Sequence, residues 1–206
     1  MRATQTIESI LGSRSRIAVL RVLYGVSVPL NASQIAARTG ITRPAVATAL
    51  DDLAAVGIVQ SSPVGRANVH VLVREIIYVH RIIQPVFSGE ASIPDELVEY
   101  LRAEFSDLAV SVVLFGSYAR GDQDTSSDVD VVLVAADRDA ETRLENAAFD
   151  RMSDFHTRFG ANLSPVIYEL AEAAELQARA PDLLASFIED GLIVHGLHPR
   201  RWSHGA

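Results

Sequence analysis

Two apolar runs, AVSVVLF (109–115) and DVDVVLVA (128–135), are separated only by GSYARGDQDTSS. Both are rich in β-branched valine and neither has the 3.6-residue period of a helix, so they predict strands buried on both faces. Strands of that kind need covering layers on each side of their sheet. The first run stops at Gly116-Ser117. A glycine there lets backbone approach a ligand closely, and the N–H groups opening the short turn SYARG, with the Ser117 hydroxyl, favour a phosphate. The second run opens with Asp128 and Asp130. Alternation along a strand puts their carboxylates on one face, about 7 Å apart at Cα, with Val129 pointing the other way. Hard oxygen ligands so placed suit Mg2+ or Mn2+, ions that keep several waters and bridge carboxylates to phosphates.

GSYARG followed by DVD resembles the signature of the DNA polymerase β-like nucleotidyltransferase superfamily, in particular its minimal and kanamycin-nucleotidyltransferase-like members. The resemblance covers about residues 97–196, and FIEDGLIVHG resembles the helix and short strand with which such domains close. It implies an α+β nucleotidyltransferase fold with a mixed sheet, nucleotide phosphates bound at Gly116 and Ser117, and a divalent ion held by Asp128 and Asp130 as the catalytic carboxylates. Arg120 matches the motif's arginine, with packing and phosphate neutralisation both open to it. Members that catalyse transfer usually add a third acid on a later strand. Here ANLSPVIYEL puts Ser164 at the equivalent position, followed by Pro165. Asn162 offers an oxygen but no base, and Glu169 has the opposite parity from Ser164. Asp122, Asp124 and Glu169 are the acids left to complete a second ion site.

The first ninety residues read differently. Ile17, Leu20, Val22 and Leu23 recur at helical spacing from Arg14. A short helix, Ala32 to Arg38, is expected to end at Gly40, and Thr42 to cap a longer one that tolerates Pro44 in its first turn and buries Val46, Leu50 and Leu53. Arg43, Ala47 and Thr48 then occupy another face. IVQ and NVHVLV around SSPVGRAN predict a hairpin with Arg66 at its tip. SQIAARTGITRPAVATALDDLAAVGIV resembles the winged helix-turn-helix regulators, over residues 10–75. The resemblance implies double-stranded DNA as a partner, contacted through Thr42, Arg43, Thr48 and Arg66, with Asp51 and Asp52 directed away. REIIYVHRIIQPVF reads as a helix apolar on more than one face, which needs a second neighbour and suits a homodimer reading two half-sites.

Charge divides the chain the same way. Residues 1–90 carry nine arginines against five acids, net +4; residues 91–206 carry nine against 21, net −12. Nucleic acid therefore suits the first half, and the acidic half favours a small-molecule or protein acceptor over a polyanion. Cysteine is absent and no apolar run reaches the length of a membrane span, so the expected setting is the cytoplasm with no membrane partner. The expected architecture is an α/β two-domain chain: a winged helix-turn-helix over 1–87, a linker over 88–96 and the nucleotidyltransferase domain over 97–206. The expected function is transfer of a nucleoside monophosphate from an NTP to an acceptor. The alternative is a transcriptional regulator whose degenerate transferase domain senses a nucleotide without catalysis.

Overall fold

A computed structural model describes residues 6–124 and 127–204. The chain divides into two compact units, 1–92 and 93–206. The first begins with α1 (Thr6–Leu11), α2 (Arg14–Tyr24), β1 (Leu30–Asn31), α3 (Ala32–Thr39) and α4 (Arg43–Ala55). Ser13 caps α2 by accepting from the Arg16 N–H, and Asn31 with Gln34 forms a reciprocal capping box on α3. Gly40 closes α3 at φ 69°, a left-handed position that costs glycine nothing. Thr42 stands at the N-cap of α4 but, contrary to expectation, its side chain makes no capping hydrogen bond. Val46, Ala49, Leu50 and Leu53 bury the inner face of α4 against Val19, Leu20, Leu23 and Ile35.

β2 (Val59–Val64) and β3 (Ala67–Leu72) form an antiparallel hairpin that pairs with β1 in the order β1-β3-β2. The expected eight-residue turn shrinks to Gly65-Arg66, since Val64 already pairs with Ala67. Pro63 is tolerated inside β2 because β2 is an edge strand. Next comes a π-helical turn over Val79–Ile83, which runs into α5 (Gln84–Phe105). The segment 88–96, expected as a linker, is therefore helical, with Pro94 inside it. Apolar anchors on either side explain this: Val79, Ile83 and Phe87 are buried in one unit, Leu97, Leu101 and Phe105 in the other.

The second unit continues with β4 (Ser111–Phe115), α6 (Gly116–Arg120), β5 (Val129–Ala135), α7 (Arg138–Phe159) and β6 (Leu163–Glu169). It ends with α8 (Leu170–Ala174), α9 (Leu176–Arg179), α10 (Pro181–Glu189), β7 (Leu192–Gly196) and a 3-10 turn over Pro199–His204. The sheet is mixed, in the order β6-β5-β4-β7; β5 runs parallel to β6 and antiparallel to β4. The two valine-rich runs are its central strands, buried on both faces as expected. Val112, Leu114, Val131 and Leu133 pack beneath α5 and α7. Val113, Val132 and Val134 pack beneath Ala173, Leu176, Leu184, Phe187 and Trp202. Asp137 caps α7 by accepting from the Ala140 N–H, and Met152 on that helix is 39% exposed. Pro165 sits in the edge strand β6, where a missing N–H is least costly. Among the described residues no helix is long and apolar enough to cross a membrane.

Candidate active site

Asp130 stands at the start of β5, paired across to Phe115 on β4 and to Ser164 on β6. Residues paired this way share a face of the sheet, and Phe115 stacks edge-on with Phe187 at 4.7 Å beneath that face. Gly116 follows Phe115 at φ 73°, and a Cβ there would collide with Asp130 Oδ2. The carboxylate thus lies against the residue that opens α6. Sequence and fold agree on why: only glycine combines that backbone angle with such close approach. Ser117 is the second residue of α6, and its carbonyl accepts from the N–H groups of Gly121 and Asp122, which tightens the turn.

Asp128 is one residue outside β5. It is exposed, Val129 is fully buried and Asp130 is half-buried. Asn162 holds it: the amide Nδ2 donates to Asp128 Oδ1 at 3.0 Å, and the Asn162 carbonyl accepts from the Val129 N–H at 2.8 Å. Sequence reasoning singles out Asn162 for its oxygen and misses its role as a donor. Two carboxylates at the start of β5, one of them against the residue that opens α6, are a fitting donor set for one hard divalent ion. Among the described residues no cluster of three or more acids, histidines or cysteines gathers as a metal cage.

Of the acids offered for a second ion, Glu169 lies far from Asp130 along the sheet. Glu169 pairs with Ala135, five positions beyond the Asp130–Ser164 pair, roughly 17 Å along the strand. Asp122 accepts from Arg120 Nε at 3.1 Å, and Asp124 accepts from the Ser127 hydroxyl at 3.1 Å. Arg120 also reaches Asp190 at 3.7 Å, so its guanidinium faces two carboxylates of its own chain. Asp190 gives no signal in the sequence, being 70 residues from its partner. Thr125 and Ser126 of the intervening polar loop lie outside the described residues.

Of the residues expected at a nucleic-acid surface, Arg43 and Arg66 line one groove of about 390 Å³ between α4 and the hairpin tip, with Asn31, Asp51, Asn68 and His70. Thr42 and Thr48 are exposed but do not line it, and the Thr48 hydroxyl donates to Pro44 O within its own helix. Asp52 is drawn off by Arg16 at 2.9 Å, whereas Asp51, expected to point away, lines the groove. His70 is buried in β3 and bonded through Nδ1 to Ser61 at 2.8 Å. Burial pushes its imidazole below the usual histidine range, and Asp51 offsets that only in part.

A family model described as a nucleotidyltransferase domain matches residues 94–189. Three proteins of Methanocaldococcus jannaschii, each named as a candidate protein adenylyltransferase, are similar to this chain. MJ1305 is 35% identical over 80 residues, 38% of this chain and 54% of that protein. MJ0604 is 31% identical over 39% of this chain and 71% of its own length, and MJ0141 is 32% identical over 36% and 81%. Against MJ1305 the match therefore spans little more than half of the relative's length. Among solved structures, a toxin-antitoxin crystal structure with AMP-PNP aligns at a TM-score of 0.34 and 18% identity, over 54% of this chain and 82% of that one. An archaeal chromatin protein, TrmBL2, aligns at 0.30 and 13% identity, over 89% and 77%. Scores that low carry no argument about fold or function. The family match and the two relatives covered over most of their length do carry one: the chain belongs to the nucleotidyltransferase domain family, a family of enzymes.

Proposed function

We propose that the second unit transfers a nucleoside monophosphate from an NTP to a hydroxyl acceptor, and that the acceptor is a protein. The observation that carries this reading is the close approach of the Asp130 carboxylate to Gly116, because it puts the side chain expected to bind the ion beside the turn expected to hold phosphates. Family members generally use divalent ions, and Asp128 with Asp130 would hold Mg2+ or Mn2+ here. Bound there, the ion would offset triphosphate charge and polarise the α-phosphoryl group. Ser117 donates its hydroxyl to a phosphate oxygen. The acceptor oxygen bonds to the α-phosphorus as the bond to the bridging oxygen breaks, and pyrophosphate leaves with that electron pair. Ser164, a neutral group, flanks Asp130 on β6, so the hydroxyl proton passes to water rather than to a third carboxylate.

The protein acceptor rests on the names of the three relatives and on the acidic balance of residues 91–206, which disfavours a polyanionic acceptor. Incubation with each α-labelled NTP, Mg2+ and fractionated cell protein tests it. ATP is expected to label a protein band. No label from any NTP, or label that survives Asp128→Asn with Asp130→Asn, would defeat the reading.

A second reading concerns the first unit, which we take as a winged helix-turn-helix domain over 1–87 that contacts double-stranded DNA. It is supported by Arg43 and Arg66, which reach one groove from separate elements. In this reading two copies bind two half-sites, and Ile77, 64% exposed, and Val86, 45% exposed, supply apolar surface for pairing. Titration of mixed-sequence duplex DNA at several salt concentrations decides it, since affinity that ignores salt would exclude phosphate contacts.

A further inference from the structure

The two carboxylates of the site are held by different devices. Asp130 is fixed inside β5, with a strand on either side and Gly116 against its carboxylate. Asp128 has no such frame: it is exposed and precedes the strand. The amide of Asn162 restrains it, at 3.0 Å. Asn162 is itself anchored, because its carbonyl accepts the Val129 N–H at 2.8 Å in the ladder that continues as Val129–Leu163 and Asp130–Ser164.

Resting on the nucleotidyl-transfer reading above, we infer that Asn162 is a positioning residue that aims Asp128 at the ion. The amide donates to Oδ1, so Oδ2 would be the oxygen left for the ion. A neutral donor suits this place. It adds no charge of its own, and a charge-assisted hydrogen bond is stronger than a neutral one. Partners behind metal ligands fix ligand orientation, and their loss typically lowers metal affinity about tenfold or more. The backbone anchor of Asn162 does not depend on its side chain, so Asn162→Ala keeps the β5–β6 register.

The test is Mn2+ affinity in the presence of a non-hydrolysable NTP, followed by the electron paramagnetic resonance signal of free Mn2+. Wild type, Asn162→Ala, Asp128→Ala and the double variant form a cycle. Asn162→Ala is expected to weaken Mn2+ binding about tenfold. The double variant is expected to bind no more weakly than Asp128→Ala, because the amide acts only through that carboxylate. An Asn162→Ala variant that binds Mn2+ like wild type, or losses that multiply in the double variant, would overturn the inference and leave the transferase reading standing. Wild type that binds no Mn2+ with nucleotide would remove both. A second measurement avoids any folding defect: the side-chain amide resonance of Asn162 should shift when Mg2+ and nucleotide are added to wild type but not to Asp128→Ala. A resonance that stays still in wild type while Mn2+ binds overturns the inference as well.

Discussion

The arginine groove of the first unit and the carboxylate site of the second both gather like charges, but by opposite means. Arg43 and Arg66 are exposed, come from a helix start and a hairpin tip, and reach their groove on long flexible stems. Asp128 and Asp130 are short side chains tied to a paired sheet, one by strand neighbours and the other by an amide. Long cations on flexible stems suit diffuse, salt-sensitive contact with a surface, while short anions on a paired sheet suit one ion at a set place. The charge division along the chain is thus also a division in how tightly charge is held.

Four experiments test that contrast. The largest effect is expected from Asp130→Ala, which should cut label transfer about a thousandfold by removing the best-held ligand. Transfer within tenfold of wild type would mean that rigidity at this position is irrelevant. Replacing both groove arginines, Arg43→Ala with Arg66→Ala, should weaken duplex DNA binding about tenfold to a hundredfold and lower the salt slope by about two, one for each phosphate no longer neutralised. An unchanged slope would remove the groove from the DNA reading, and Asp130→Ala should leave that slope alone.

Gly116→Ala probes the rigid site from its other side. A methyl group at φ 73° and against Asp130 Oδ2 should cost about 1–3 kcal/mol, read as a lower urea midpoint, and should weaken Mn2+ binding too. Unaltered stability would show that the turn can give way. The smallest effect belongs to the groove. Burial lowers the His70 pKa, so the folded state disfavours its proton relative to the unfolded chain, whose ordinary value is 6.5. The stability of neutral His70 is therefore complete above about pH 6.5 and is lost as pH falls towards the depressed folded value. Thermal melts at pH 7.5 and 5.5 should show a modest acid loss in wild type that His70→Gln lessens.

Much of the second unit is legible in the sequence because β4 and β5 are unbroken valine-rich runs, and buried strands advertise themselves by composition alone. Asp130 and Gly116 are legible for the same reason, since strand ends fix where their neighbours fall. In the first unit, Gly40 marks the end of α3 and Pro44 the first turn of α4 locally. What the sequence hides depends on distant partners. Gly89 and Pro94 are local breakers, yet Phe87 and Leu97 pack into cores on either side of them and the helix persists. Parity places Ser164 near Asp130 but gives no hint that Asn162 reaches Asp128 or that Arg120 meets Asp190. Side-chain direction at a strand's frayed start is set by what stands across from it, which a single sequence does not state.

The β5–β6 pair carries a last consequence, for how the protein is made. These strands run parallel, so β6 returns beside β5 only after the 22-residue α7 has crossed over. Neighbours that far apart along the chain meet late, because loop closure must be met before the contact rewards it. During synthesis and refolding, Asp130 and Gly116 are expected to come together first, with the edge bearing Asn162 and Ser164 docking afterwards. An ion bound by Asp128 and Asp130 would then be captured only after the edge strand has arrived.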